Sequence, residues 1–259
     1  MNLSKDLLLK SLRAVLFGEK LDASDFAEAD WKSIFQLADE QTVSALLLDG
    51  ISLLPSECIT ISLGDKLKRI AAMQRIEQIN CLHRKVIAKI DQALKSEGIP
   101  VVFMKGQTTA LRYPNPLHRT PGDIDFVVNP KDFKKTMEVL EKIGKVDHNL
   151  VHEHHGMAWV DGVTVEPHYK VHNYQSPSTD HAMQEMFASV FPSELSSADM
   201  DGYAVPVFPP TFESVFLISH MVNHVYEEGL GLRQVIDYAM FLSSCADKID
   251  WLQHHDYLH

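Results

Sequence analysis

Cysteine is scarce: Cys58, Cys81 and Cys245 are the 3 present in 259 residues, widely spaced and odd in number. No C-x-x-C pair occurs, so neither a disulfide framework nor a thiolate zinc site is indicated. The simple expectation is reduced, mostly buried thiols in a cytoplasmic protein. Long apolar runs are also missing. No stretch could span a bilayer. The N-terminal MNLSKDLLLKSLRAVLFGEK interleaves its apolar residues with charge, unlike the unbroken apolar segment of a signal peptide. Positive charge is short: 24 Lys and Arg against 35 Asp and Glu leave a formal net charge of -11. That argues against a general nucleic-acid-binding surface, although a local basic groove stays compatible with it. Internal repeats and low-complexity segments are absent. The remaining composition, 45% hydrophobic and 23% charged, is that of an ordinary globular chain, long enough for one large domain or two small ones.

What is present divides by periodicity. The first hundred residues read as helical. Leu7, Leu8, Leu12, Val15 and Leu16 form one stripe, Trp31, Ile34, Phe35 and Leu37 a second, and the segment 43–54 a third. From about 63 to 95 a long amphipathic helix is expected, with Leu67, Ile70, Met73, Ile76, Ile79, Leu82, Val86, Ile90 and Leu94 at near-helical spacing and Gly98 as its stop. The character changes at Ile99. IPVVFMKG is a short continuous apolar run, as expected of a strand buried on both faces. A link rich in turn residues follows, then the strand DIDFVV, a helix over 130–143, and two strands, GMAWV and VTVEPHYKV, joined by Asp161-Gly162. Helices over 212–226 and 232–243 come after. The terminal WLQHHDYLH has no clear stop, so a helical region is expected to be cut short there. The predicted class is α+β: a small mixed sheet over 99–175, between a helical region at 1–98 and another at 176–259.

RTPGDIDFVV carries the chemical question. On a strand, Asp123 and Asp125 share one face while Ile124 and Phe126 point the other way. Two like charges held that close repel, and a cation is the natural compensation. Carboxylate oxygens suit hard divalent ions such as Mg²⁺. The bland alternative is a turn-capping Asp123 and an exposed Asp125. A two-metal site needs a third acidic group, and Glu166 in VTVEPHYKV is the candidate. The adjacent Pro167 predicts an edge strand or a bulge, and an ordinary exposed carboxylate is the competing reading of Glu166. Phosphate chemistry needs donors too. The turn Lys105-Gly106-Gln107-Thr108 offers a glycine for close backbone approach and a helix start with free N–H groups. Lys105 could supply charge, and Arg119 could pair in bidentate fashion with a triphosphate.

Taken together, MKGQTTALRY, RTPGDIDFVV and VEPH resemble the DNA polymerase beta-like nucleotidyltransferase superfamily. More narrowly they resemble its uncharacterised bacterial branch, which carries a Lys-Gly turn and an Arg upstream of D-x-D. The likeness covers 99–171 well and extends loosely to GLGLRQVIDYAMFL. It implies a nucleotidyltransferase-type sheet and transfer of a nucleoside monophosphate from a nucleoside triphosphate such as ATP to a hydroxyl of a small-molecule or protein acceptor. By the resemblance, Asp123, Asp125 and Glu166 are catalytic and hold Mg²⁺ or Mn²⁺. Lys105, Gly106, Gln107, Thr108, Arg119 and Gly122 would lie around the nucleotide, and Asp125 or Glu166 would be the base. Gly106-Gln107 stands where the family pattern has Gly-Ser, so the hydroxyl contact to phosphate would fall to Thr108. The link from Gly106 to Asp123, with Pro114 and Pro116 inside it, is also longer than the pattern. No membrane and no extended nucleic acid is expected as a partner.

Fourteen histidines remain. His152, His154 and His155 cluster before the hairpin, His168 follows Glu166 at same-face spacing, and His220 and His224 are an i, i+4 pair without the Glu of a zincin motif. Most read as surface or packing residues. His168 should face the carboxylates, and His220 and His224 could line an acceptor pocket. Arg233 and Asp237, at i and i+4, read as a helix pair. Two other functions stay open. One is a non-catalytic, antitoxin-like member that binds a nucleotide or a partner. The other is a histidine-metal hydrolase, which requires the 152–155 cluster to converge with Asp123.

Overall fold

The structure, a computed structural model, describes residues 3–149, 154–171, 176–227 and 229–258. The chain opens with α1 (Leu3–Phe17), α2 (Trp31–Glu40) and α3 (Ser44–Ser52). Their apolar stripes meet in one cluster built on Leu7, Leu12, Trp31, Phe35 and Leu47. The Asp30 side chain accepts from Ser33 N at 3.2 Å, which satisfies one of the N–H groups left over at the start of α2. Tyr113, Ile236 and Met240 reach into the same cluster from later in the chain.

α4 (Leu63–Ser96) follows. The periodicity predicted one long amphipathic helix, and its buried positions all fall in the second half. Asn80, His83, Val86, Ile87, Ile90, Asp91 and Leu94 are buried. Leu63, Leu67, Ile70 and Leu82 are exposed. Apolar spacing reports a face, and tertiary contact decides whether that face is covered.

β1 (Val101–Met104), β2 (Ile124–Val128), β3 (Lys145–Asp147), β4 (Met157–Val160) and β5 (Val163–His168) form a mixed sheet in the order β1-β2-β5-β4-β3. β2 is antiparallel to β1 and parallel to β5. The β4–β5 turn holds Asp161 and Gly162 both at positive φ, as the Asp-Gly pair predicted. α5 (Gln107–Ala110) leaves β1, and α6 (Phe133–Ile143) connects β2 to β3. One sheet face packs Phe103, Ile124, Phe126, Val128 and Val165 against α4 and α6. The other packs Val102, Met104 and Val127 against α7 (Pro177–Val190), α8 (Pro210–Glu227) and α9 (Leu232–Cys245). A second hairpin, β6 (Ser196–Met200) with β7 (Tyr203–Val207), lies beside β1, and α10 (Trp251–Leu258) packs on α8. The sequence reading did not anticipate α7, β3 or this hairpin.

Two expectations are corrected. β5 is neither an edge strand nor bulged at Pro167: it is flanked by β2 and β4. The regular β4 ladder stops at Ala158↔Val165, and beyond it Gly156 N donates to the Pro167 carbonyl. A strand residue's N–H and C=O point the same way, so the missing Pro167 donor falls on the side where that ladder has lapsed. The thiols are not mostly buried either: Cys245 is buried, Cys58 half-buried and Cys81 exposed, all three free.

The link before β2 is anchored by His118, whose Nδ1 lies 2.6 Å from Asp49 on α3 and whose Nε2 lies 2.9 Å from Glu77 on α4. Burial alone would lower the His118 pKa, but hydrogen bonds to the two carboxylates outweigh it and raise it above 6.5. The folded protein therefore holds this proton more tightly than the unfolded chain. Its stabilisation is complete below 6.5 and is lost as pH rises through the raised value. The urea midpoint is expected to fall across that window in the wild type, and to fall less in His118→Gln.

Candidate active site

The parallel register of β2 and β5 sets Asp125 opposite Glu166 and Val127 opposite His168. Alternation then places Asp123, Asp125, Glu166 and His168 on the sheet face that meets α8. Asp125 is 3% exposed. Its Oδ1 accepts from Lys105 Nζ at 3.2 Å and lies 3.1 Å from His168 Nε2. Burial raises the Asp125 pKa, yet Lys105 and then His168 outweigh it and hold the carboxyl well below the usual range. The Lys105 ammonium, which burial would discharge, is kept charged by Asp125, Asp123 and Glu166.

Glu166 is pushed the other way, up to about 8. Burial is the largest cause, and repulsion from Asp125 and Asp123 adds to it. In its protonated form it hydrogen-bonds Asp123. Asp123, Asp125 and Glu166 thus all act on one lysine. Asp125, Glu166 and His168 each offer a ligand atom within 4.8 Å of the others. The donors fit a divalent cation: mostly carboxylate oxygen, preassembled, and short of positive charge.

The turn before α5 is built on backbone strain. Lys105 has φ 42°, and Gly106 has φ 55° with ψ -116°. A Cβ on Gly106 would stand 3.6 Å from the Asp123 carbonyl, so there is room for a methyl but not the right backbone region. Gly106→Ala is expected to cost roughly 1–3 kcal/mol of stability and to shift the turn away from Asp123. Thermal melts and Mg²⁺ titration together would register both effects.

The other residues expected around a nucleotide are placed differently from one another. Gly122 is exposed, next to Asp123. Gln107 is buried and turned toward α4, where its Nε2 donates to Asn80 Oδ1 at 2.6 Å. Thr108 Oγ1 donates to the Lys105 carbonyl at 2.8 Å and so closes its own turn. Arg119 is only 6% exposed, and Asp237 fills its fork, with Nε and Nη2 each 2.8 Å from a carboxylate oxygen. Tyr113 donates to the same Asp237 at 2.6 Å. The Arg233–Asp237 helix pair predicted from spacing is therefore not the ion pair formed: Asp237 turns inward to Arg119, where burial makes the bond stronger. Arg233 instead reaches the Thr120 carbonyl at 3.3 Å, and its buried Nε has no hydrogen-bond partner among the described residues. Burial and the neighbouring Arg119 lower its pKa, with Asp237, Tyr113 and Asp123 opposing.

Sequence reasoning missed Asn80 and His83, and read Arg233 only as half of a helix pair. Asn80 Nδ2 donates to the Leu117 and Arg119 carbonyls at 2.6 and 2.9 Å, pinning the link to α4. His83 is 4% exposed, and burial lowers its pKa against the pull of Asp123. The usable signal was phase: both lie on the helical stripe of Val86, Ile87, Ile90 and Leu94. His152 lies outside the described residues. His154 and His155 stand beside His168, and His220 stacks on Phe216 at 6.0 Å, near enough to Asp125 to help lower its pKa.

With this geometry in place, the family described as uncharacterised nucleotidyltransferase matches residues 27–257. The chain belongs to that family. The match begins between α1 and α2, so it leaves out α1 and spans every element from α2 to α10 but for the last residue of α10. Solved structures with some likeness include the antibiotic-resistance factor ANT(2'')-Ia in solution, at 14% identity and TM-score 0.46, covering 70% of this chain and 100% of that one. The same factor in complex with adenylyl-2"-tobramycin gives 13% identity and TM-score 0.45 over 68% and 97%. An antigenic nucleotidyltransferase-like protein from Paracoccidioides brasiliensis gives 16% and 0.42 over 62% and 75%. No curated protein matches the chain. Among the described residues, no helix is long and apolar enough to cross a membrane.

Proposed function

We propose that this family member is a metal-dependent enzyme of the DNA polymerase beta-like superfamily, in its bacterial branch. It would move a nucleoside monophosphate from a nucleoside triphosphate to a hydroxyl on a small-molecule or protein acceptor. The observation that carries the reading is the Asp125↔Glu166 register, with Asp123 beside it and the Gly106 turn against the Asp123 backbone. Asp123, Asp125 and Glu166 would hold Mg²⁺ or Mn²⁺. When bound, such ions would polarise the transferred phosphoryl group and offset charge on the leaving pyrophosphate.

The chain's own residues have separable tasks. Lys105 keeps Asp125 ionised and therefore ready to bind a cation. The turn at 105–108 lets phosphate oxygens approach the backbone because Gly106 carries no side chain. With Arg119 occupied by Asp237, Arg233 is the better-placed cation for phosphate. Of the two candidate bases, Glu166 is favoured over Asp125. Its side chain is 19% exposed against 2%, so an acceptor hydroxyl can reach it more readily. The net charge of -11 fits a small or protein acceptor better than a long nucleic acid.

Calorimetric titration of each nucleoside triphosphate with Mg²⁺, on the wild type and on Asp123→Asn/Asp125→Asn, tests this. Binding that needs both the metal and the aspartates supports the transferase. A well-folded wild type that binds no triphosphate would overturn it and favour a non-catalytic, partner-binding member.

A further inference from the structure

Beyond the carboxylates, β5 carries a second constellation that nucleotidyl transfer does not use. Past the end of the β4 ladder the chain continues alongside β5. Tyr169 N donates to the His154 carbonyl at 3.0 Å, Gly156 N donates to the Pro167 carbonyl at 2.9 Å, and His155 bridges His168. Those bonds hold the three imidazoles together, with ring centroids 4.5 Å apart for His154–His155, 5.0 Å for His155–His168 and 5.4 Å for His154–His168. One ring nitrogen from each lies within 4.8 Å of the other two. His168 is 4% exposed, and its Nδ1 has no hydrogen-bond partner among the described residues. A buried polar nitrogen left dry and unpaired is costly, so packing alone is a poor reason for the arrangement.

We propose that His154, His155 and His168 form a separate cation position for a borderline transition metal of the Zn²⁺, Co²⁺ or Ni²⁺ class, adjoining the carboxylate site. Neutral imidazole nitrogens select these ions, whereas Mg²⁺ and Ca²⁺ prefer oxygen. Tetrahedral ligation with Zn–N of about 2.0–2.1 Å puts ligand nitrogens about 3.4 Å apart. Starting from at most 4.8 Å, ring rotation and small shifts of the rings close the set. His168 is the hinge between the two positions, because it also belongs to the group with Asp125 and Glu166. Glu166 Oε2 lies 3.8 Å from His155 Nε2, at the border of the two positions. The carboxylates would keep a hard ion while the imidazoles keep a softer one, and the pair would sort metals by ligand chemistry.

The test uses the full chain without a histidine tag, stripped with chelator, in the absence of nucleotide. Co²⁺ is added, the visible ligand-field absorption of imidazole-bound cobalt is followed, and Zn²⁺ is then added as competitor. The expected result is one saturable Co²⁺ site that Zn²⁺ displaces and Mg²⁺ does not. His154→Ala and His155→Ala, both at half-buried positions and checked by circular dichroism, should each weaken it by about 10–100-fold. Asp123→Asn should leave it intact. An absent ligand-field band, or a band retained in both histidine variants and lost in Asp123→Asn, would overturn the proposal. Because no nucleotide enters the experiment, its failure leaves the transferase reading standing, and the converse holds.

Discussion

Asp125→Asn is expected to abolish metal-dependent triphosphate binding and transfer while the chain still folds. The amide keeps the shape of the carboxylate but loses the charge and the anionic oxygens of a preassembled cation site. Outer-shell partners of metal ligands are worth about 10–100-fold in affinity, so a central ligand should cost more than about 100-fold by the same measure. The fold survives because Lys105 retains attraction to Asp123 and Glu166 when Asp125 is neutralised. The same substitution makes a second readout. Repulsion from Asp125 is among the causes that push Glu166 up to about 8, so the Glu166 titration should move toward its ordinary 4.5 in the variant. Calorimetry with Mg²⁺ and carbon-detected carboxyl titration by NMR would measure the two effects. A variant that binds Mg²⁺ and triphosphate like the wild type would remove Asp125 from the site.

The largest effect on stability is expected from Asp237→Ala. Asp237 and Arg119 form a two-pronged pair whose side chains are 9% and 7% exposed, and Tyr113 donates to the same carboxylate. Removing one partner of a buried pair leaves an uncompensated charge, at a cost of about 3–5 kcal/mol. For a chain of this size that is a fall in melting temperature of roughly 6–20 °C. The loss should be far smaller in Arg119→Met/Asp237→Leu, where both charges leave together, and differential scanning calorimetry of the three proteins measures the difference. A single variant that melts with the wild type would show that the pair does not hold α9 to the link before β2. Arg119 then has a positioning task, with Asp237 and Asn80 steadying the segment that leads into Asp123.

Much of the fold was legible because local period carries it. α1 to α4, α6, α8 and α9 show helical stripes, β2 and the β4–β5 hairpin alternate, β1 is a continuous apolar run, and Asp161-Gly162 announces its turn. The β6–β7 hairpin was missed, although Asp201-Gly202 marks its turn as Asp161-Gly162 marks the other. Its first strand, SSADM, is polar and small and gives no clear alternation, and its second, YAVPV, alternates over only five residues with a proline inside.

The candidate site divides along the same line. Asp123 and Asp125 on one face, and Glu166 on a later strand, could be read from spacing. Their convergence could not, because nothing local states that β2 pairs with β5 in parallel at Asp125↔Glu166. The electrostatics followed that pairing: one carboxyl driven down by Lys105, the other driven up by its acidic neighbours. Arg119 shows the limit most clearly. Its place upstream of D-x-D suggested a phosphate ligand, and a residue more than a hundred positions away claimed its guanidinium instead. By itself, the sequence determined which elements form and which side chains carry charge and metal-binding chemistry, since propensity and period act over a few residues. Only the tertiary structure decided which charges meet, because burial and distance set the sign and size of every interaction among them.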